Sequence, residues 1–275
     1  MRRGLATAAA ATLVLLLAVP AGRADGTPTA PSSPAVSPPR SLVVALALQD
    51  PLLQAGVVRG REVILARGFE VELARILARR LGGRVERFVH VPSATRLLAS
   101  NAPGWQLALG GIERSRGVRA AAELSDSYLT TDVVVVAGRG LQRPRRLADL
   151  RRTRLCAVRG GDGAGAAARV GPRTPPLLVA GPERLLQLVR TGVCDAALVP
   201  ATEAGRFVRD GGRGLGPVVG RIARDDGLGA VVPHGSGLDV RAVDRELGRL
   251  RRDGTLGRLA RTWLGLDPAA LRVLR

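Results

Sequence analysis

The strongest constraint on the fold is an alternation of short apolar runs with amphipathic segments, which starts near Ser41. Residues 41–48 (SLVVALAL) are apolar throughout, which suits a strand buried on both faces. After Gly68 the apolar positions follow helical spacing until the glycine pair at 82–83, which predicts the end of that helix. Further predicted strands lie at 85–91, 107–109, 133–137, 155–158, 177–179 and 196–199. Strands alternating with helices predict an α/β protein whose mostly parallel sheets are flanked by helices.

The basic charge of the chain does not indicate a nucleic-acid-binding surface. The net charge is +19, and all 42 basic residues are arginine. Uniform use of Arg, Ala, Gly, Val and Leu is typical of a GC-biased genome, which raises charge without shaping a surface. A single-strand binder interleaves aromatic residues with its basic groove, whereas the three Phe, two Trp and one Tyr stand singly here. We therefore predict no nucleic-acid partner.

Cysteine and histidine counts limit the chemistry that the chain can carry. Two Cys and two His cannot build a disulfide framework, a four-thiolate zinc site or a histidine-rich metal centre. No catalytic triad or cofactor-binding loop is recognisable either. We predict no metal and no cofactor.

The first 40 residues predict export. Residues 1–24 combine Arg2 and Arg3, an apolar stretch and small residues, the layout of a Sec-type signal peptide. The segment has no Cys for a lipid anchor, and its apolar stretch is short for a membrane span, although an uncleaved anchor is the alternative. Residues 25–40 contain five Pro and form a predicted linker. The sequence therefore predicts a periplasmic or secreted protein.

Several segments, in the correct order, resemble the bacterial extracellular solute-binding proteins of the polar-amino-acid type (type II periplasmic binding proteins, solute-binding family 3). The similar segments are GFEVELARILARRLG (68–82), WQLALGGI (105–112), LSDSYLTT (124–131), DLRRTRLCAVRGGDG (149–163) and RDGTLGRLARTWLG (252–265).

The resemblance implies a two-lobed Venus flytrap that closes over a small solute. We place lobe 1 at 41–130 and 232–275, lobe 2 at 135–226, and the hinges at about 131–134 and 227–231. The implied function is a monomeric receptor that delivers a small-molecule solute to a membrane ABC permease through transient contact.

Lobe 1 of the family contributes a Ser or Thr and an Arg that hold the α-carboxylate of the solute. Ser115 takes the first position, but Val118 falls where the Arg is expected. Arg116 and Arg119 flank it, and either one of them replaces the missing Arg or both are solvated surface residues.

Other lobe 1 residues also depart from the family pattern. Gly110 and Gly111 follow that pattern, since they resemble the family's glycine turn that opens onto the ligand. Glu113 replaces a small hydroxyl residue and either faces the ligand or pairs with a neighbouring Arg. Asp50 stands where relatives often place an aromatic side chain, so the cleft lacks that apolar wall.

In lobe 2, the turn Gly160-Gly161-Asp162 takes the place of the family's "GTT" turn, whose N–H groups bind the carboxylate; a purely structural turn is the alternative. The family's ammonium-binding Asp falls on Pro200, which has no acceptor in its side chain. Glu203 is the nearest carboxylate and either replaces that Asp or faces solvent.

The two cysteines fall at the start of neighbouring lobe 2 strands. Adjacent strands lie about 4.8 Å apart, which places Cys156 and Cys194 within disulfide reach in an oxidising compartment. Two buried free thiols are the alternative.

Two function classes fit the resemblance. The first is a non-enzymatic receptor whose solute is amino-acid-like but not an ordinary α-amino acid, because both charge partners of the zwitterion are displaced. The second is a periplasmic cyclohexadienyl (prephenate or arogenate) dehydratase, a carbon–oxygen lyase with Glu203 or Glu113 as general acid. Arg116, Arg119 and Arg159 are its candidate carboxylate partners. A sensor that docks on a membrane signalling protein is not separable from the receptor by sequence.

Overall fold

The computed structural model describes residues 41–98, 104–210 and 215–275. The predicted signal peptide (1–24) and linker (25–40) lie outside these residues.

Lobe 1 is built around a five-stranded sheet with the strand order β2-β3-β4-β1-β5. Its strands are β1 (Ser41–Leu46), β2 (Ala55–Arg59), β3 (Glu62–Arg67), β4 (Arg84–His90) and β5 (Leu107–Leu109). Its helices are α1 (Phe69–Arg80), α2 (Ala94–Leu98), α3 (Arg116–Ala121), α7 (Val240–Arg252) and α8 (Thr255–Leu264).

Lobe 2 is built around a second five-stranded sheet with the order β11-β7-β10-β8-β9. Its strands are β7 (Val133–Gly138), β8 (Leu155–Val158), β9 (Leu177–Val179), β10 (Ala196–Pro200) and β11 (Leu215–Ile222). Its helices are α4 (Asp162–Val170), α5 (Pro182–Arg190) and α6 (Ala201–Asp210), with a 3-10 helix at Leu147–Arg152.

The continuous apolar runs are buried on both faces of the sheets, as the sequence predicts. All six residues of β7 are buried. Val134 and Val136 pack in the core on one face of the lobe 2 sheet, and Val133 and Val135 pack in the core on the other face. This burial explains why β7 shows no polar alternation.

Both sheets are mixed, which differs from the mostly parallel pairing that the sequence predicts. In lobe 1, β4-β1 and β1-β5 are parallel, whereas the β2–β3 hairpin and the β3-β4 pair are antiparallel. In lobe 2, β10-β8 and β8-β9 are parallel, whereas β7 runs antiparallel to both β10 and β11. The sequence prediction omitted β2, β3 and β11.

The chain passes between the lobes at a short antiparallel pair formed by β6 (Leu129–Thr130) and β12 (Gly227–Leu228). The chain passes from lobe 1 to lobe 2 once more after α8. Val273 pairs with Arg221 of β11, and Leu274 is buried in a lobe 2 core. The end of the segment 232–275 therefore packs on lobe 2, whereas the sequence assigns the whole segment to lobe 1.

Cys156 and Cys194 form the predicted disulfide, with their Cα atoms 6.0 Å apart. Cys156 lies in β8, and Cys194 precedes β10, which pairs with β8 in parallel. Both residues are buried in a lobe 2 core.

We predict that replacing both cysteines with Ala lowers the free energy of unfolding by about 2–4 kcal/mol, because the crosslink restricts the unfolded chain. The two residues are 38 positions apart, so the crosslink closes a loop of intermediate length. Urea denaturation of the variant and the oxidised wild type measures the difference. Thiol titration of the denatured, unreduced protein is the control, and two free thiols per chain would contradict the pairing.

Candidate functional site

A cavity of about 190 Å³ lies between the two lobes, at the ends of their strands. Its lining comes from both lobes and from the segments that join them: Gln49, Asp50, Leu53, Gln54, Gly110, Gly111, Glu113, Thr131, Asp162, Pro200, Thr202 and Leu228. A crevice at the strand ends of an α/β fold is where such proteins bind ligands.

A buried carboxylate positions the lobe 1 wall of the cavity. Glu70, in the first turn of α1, is fully buried and accepts hydrogen bonds from the Gln54 side chain, the Tyr128 hydroxyl and the Gly111 backbone N–H, the last at 3.0 Å. The Gln54 side-chain oxygen in turn accepts from the N–H groups of Ala47 (2.9 Å) and Leu48 (2.7 Å). One buried group thus fixes three segments of the lobe 1 wall.

Burial governs the protonation of this cluster. It raises the pKa of the Glu70 carboxyl above its ordinary value, although the bonds from Tyr128, Gln54 and Gly111 act in the opposite direction. It also raises the pKa of Tyr128 well above its ordinary value, and the neighbouring Glu70 charge adds to that shift. Glu70 and Tyr128 do not line the cavity themselves, whereas their partners Gln54 and Gly111 do, so the two buried groups support the wall from behind.

The start of α1 is held close to the same wall by Gly68. This residue has φ 125°, and a Cβ there would lie 2.3 Å from the carbonyl oxygen of Leu53. The N–H groups of Phe69 and Glu70 donate to the carbonyls of Leu52 and Leu53 at 3.1 and 3.0 Å. Gly68, the first residue of the segment GFEVELARILARRLG, therefore allows the close approach that puts Glu70 behind the cavity.

The lobe 2 wall comes from the start of α4 and the junction between β10 and α6. Asp162 is the first residue of α4 and lines the cavity. Gly163 lets the helix lie against β10, since a Cβ there would be 2.1 Å from the Leu198 carbonyl oxygen. Pro200 ends β10, and Thr202 lies in the first turn of α6.

Arg224, which follows β11, connects the two walls. Its guanidinium lies 3.3 Å from a carboxylate oxygen of Glu113 in lobe 1 and forms an ion pair with Asp162 in lobe 2. Its side chain is 21% exposed. One guanidinium therefore pairs with carboxylates on both sides of the cavity.

The hinge segment is fixed by a buried carboxylate of its own. Asp132 is 1% exposed, pairs with Arg221 and accepts a hydrogen bond from the Arg224 backbone N–H at 2.9 Å. Its neighbour Thr131 is 6% exposed and lines the cavity. Among the described residues, the Thr131 hydroxyl has no hydrogen-bond partner.

The cavity brings together five of the eleven residues that the sequence analysis assigns to ligand binding: Asp50, Gly110, Gly111, Glu113 and Asp162. The other six do not line it: Ser115, Arg116, Arg119, Gly160, Gly161 and Glu203.

Local structure explains most of these positions outside the cavity. The Ser115 hydroxyl caps α3 by accepting from the Val118 N–H at 3.3 Å, and Arg116 and Arg119 are exposed on that helix. Gly160 and Gly161 are exposed in the turn before α4, and only the Asp162 that follows them reaches the cavity.

Arg224, Thr131 and Glu70 belong to the site or support it but were not predicted from the sequence. Glu70 carried a signal, because an acidic residue at a helical position that should be buried is unusual. Arg224 carried none in a chain that has 42 basic residues.

Within residues 41–98, 104–210 and 215–275, no cluster of three or more His, Cys, Asp or Glu side chains has the arrangement of a metal site. In the same residues, no helix is both long and apolar enough to span a membrane.

Two lobes joined by hinge segments, with a lined cavity between them, define a binding protein of the Venus flytrap class. Residues 65–266 match the family model of the bacterial extracellular solute-binding proteins, family 3. The chain belongs to this family, and the fold class expected from the sequence is confirmed. No curated protein matches the chain in a sequence comparison.

Three solved structures illustrate the similarity. The L-cystine solute receptor of Neisseria gonorrhoeae is 21% identical, with a TM-score of 0.69, over 86% of this chain and 97% of that one. An ancestral cyclohexadienyl dehydratase is 22% identical, with a TM-score of 0.65, over 82% and 93%. A polar amino acid ABC uptake transporter substrate-binding protein from Streptococcus thermophilus is 14% identical, with a TM-score of 0.65, over 83% and 87%. The TM-scores show that these proteins share the fold of this chain, and at identities below 25% the similarity shows the fold alone.

Proposed function

We propose that this protein is the receptor of an ABC importer for a small, positively charged polar solute. The observation that carries the proposal is the charge of the interlobe cavity. Three of the described lining residues, Asp50, Glu113 and Asp162, carry carboxylates, and none carries a basic group. Arg224 pairs with Glu113 and Asp162 but is not itself among the lining residues, and Asp50 has no cation among the ion pairs of the described residues. A cation is the solute that this lining stabilises best.

Thr131 supports a solute that can form hydrogen bonds. A buried hydroxyl without a partner costs about 1–3 kcal/mol, so such groups usually mark a position that a ligand or water satisfies. Thr131 belongs to the hinge segment and lines the cavity, and its hydroxyl oxygen is buried. A polar solute that reaches this wall contacts both lobes and the segment between them, as closure requires.

The same lining disfavours ordinary α-amino acids. Their carboxylate needs a cationic partner, but Arg116 and Arg119 are exposed on α3 and do not line the cavity. Pro200 lies in the wall where the family resemblance places the ammonium-binding Asp. A buried carboxylate facing Asp50, Glu113 and Asp162 would be unpaired, which costs several kcal/mol.

We therefore predict that 1,4-diaminobutane binds at least tenfold more tightly than any zwitterionic α-amino acid, a difference of about 1.4 kcal/mol or more. Isothermal titration calorimetry with the diamine, butane-1,4-diol and the twenty amino acids measures this. The diol is the matched neutral control and should not bind. A dissociation constant near or below micromolar for a neutral or acidic amino acid would contradict the proposal.

The dehydratase alternative receives less support from the geometry. Its substrates carry carboxylates, and the candidate partners Arg116, Arg119 and Arg159 do not line the cavity. Arg159 donates to the Leu178 carbonyl at 3.2 Å. Of the two candidate general acids, Glu203 does not line the cavity, and Glu113 lies beside Arg224. The arrangement favours capture of a cation over chemistry on a dicarboxylate.

A further inference from the structure

We propose that Arg224 is an intramolecular occupant of the solute site, which holds the lobes together without solute and which a solute cation must replace. The part of this inference that concerns the solute rests on the proposed function. The part that concerns the lobes does not.

The first observation is that Arg224 has the contacts expected of a bound cation. It pairs with Glu113 from lobe 1 at 3.3 Å and with Asp162 from lobe 2. Both carboxylates line the cavity. A guanidinium shared by two carboxylates forms charge-assisted hydrogen bonds, which are stronger than neutral ones. A residue of the protein thus connects the two walls that a solute is proposed to connect.

The second observation is that Arg224 is anchored at the hinge. Its backbone N–H donates to Asp132 at 2.9 Å, and Asp132 is itself buried and paired with Arg221. The ion pairs with Glu113 and Asp162 therefore form within one chain at a high effective concentration. The anchor holds Arg224 beside Glu113 and Asp162 through its backbone, so the charge of the guanidinium stays available for these two carboxylates.

The ion pairs of Arg224 affect which solutes the cavity can bind. While Arg224 pairs with Glu113 and Asp162, Asp50 is the lining carboxylate without a cation among the ion pairs of the described residues. A solute that must displace Arg224 binds more weakly, because its affinity is reduced to the fraction of protein in which Arg224 is not paired with these carboxylates. Solutes with two cationic groups can pair with Asp50 and with a displaced carboxylate together, so they compete best.

The test compares Arg224→Ala with Arg169→Ala, which removes the same charge from a neighbouring site. Arg169 donates to the Ala223 carbonyl at 3.1 Å and does not line the cavity. We expect small-angle X-ray scattering without solute to show a larger radius of gyration for Arg224→Ala and no change for Arg169→Ala. Millimolar guanidinium ion should restore the compact form of Arg224→Ala, whereas urea, which has the same shape without the charge, should not.

Asp162→Asn removes the ion pair between Arg224 and lobe 2. This variant serves as the test if Arg224→Ala does not fold. It should also expand the protein. Wild-type dimensions in both variants, or equal compaction by urea and guanidinium, would overturn the proposal.

Calorimetry with 1,4-diaminobutane separates this inference from the proposed function. We expect Arg224→Ala to bind the diamine about tenfold more tightly than the wild type, because the competing guanidinium is gone. Weaker binding by Arg224→Ala would overturn the role as occupant. If neither protein binds the diamine but Arg224→Ala expands and guanidinium closes it, the proposed function fails and the role of Arg224 in holding the lobes stands.

Discussion

Replacing Gly163 with Ala should destabilise the protein by about 3 kcal/mol or more and weaken binding at the interlobe cavity. The added Cβ would lie 2.1 Å from the carbonyl oxygen of Leu198. Because that oxygen belongs to the backbone of β10, no side-chain rotation relieves the clash, and α4 must move away from the sheet. Asp162 begins the same helix, so this movement displaces a carboxylate of the cavity wall.

Gly165→Ala is the matched control, because it lies in the same helix and a Cβ there meets nothing within 4 Å. Alanine favours a helix over glycine by about 0.5–1 kcal/mol, so Gly165→Ala should stabilise the protein slightly. Urea denaturation of both variants and the wild type measures the difference. Equal midpoints for the two variants would show that α4 is not packed against β10 as described.

Replacing Glu70 with Ala should destabilise the protein by about 3 kcal/mol. The change leaves Gln54, Tyr128 and the Gly111 N–H without their shared acceptor, and an unsatisfied buried donor costs about 1–3 kcal/mol. Relief from burying the carboxylate offsets part of this cost. Glu72→Ala is the control, because Glu72 lies in the same helix in a partly exposed pair with Arg75, and such pairs contribute little.

The same residue gives a pH dependence with a definite sign. Burial raises the pKa of Glu70 above the 4.5 of the unfolded chain, so the folded state binds more protons in the interval between the two values. The contribution of Glu70 to stability is therefore complete below about pH 4.5 and decreases as the pH rises through the folded value. Glu70→Gln should remove this slope. A wild-type slope that Glu70→Gln leaves unchanged would contradict the assignment.

The sequence predicted the buried strands well, because a strand buried on both faces leaves an uninterrupted apolar run. The predicted strand 155–158 coincides with β8, and the predicted strands 133–137 and 196–199 match β7 and β10 to within one residue. The prediction failed for β11, where two Gly and a Pro interrupt the apolar residues of LGPVVGRI. It also omitted the β2–β3 hairpin, in which Gly60 turns with φ 60° between two apolar stretches.

The candidate site was less predictable, since its geometry depends on contacts between distant parts of the chain. Arg224 meets Glu113 across 111 residues of sequence because β11 and the segment after it bring the chain back to the hinge. No local sequence pattern indicates the contact between Arg224 and Glu113. Family resemblance placed Asp50, Gly110, Gly111, Glu113 and Asp162 at the cavity, but it cannot reveal a pairing that the family pattern does not contain. Their role in ligand binding stays a prediction.

The return of the chain to lobe 2 after α8 sets the order in which a growing chain can finish folding. Leu274 belongs to the same lobe 2 core as Val133 and Ile222, and the N–H groups of Arg221 and Leu274 exchange backbone hydrogen bonds with the carbonyls of Arg272 and Arg221. These contacts join residues that are synthesised before and after α7 and α8. Contacts at such long sequence separation slow folding and leave apolar surface exposed meanwhile. Part of the lobe 2 core therefore stays uncovered until the residues beyond α8 pack against it.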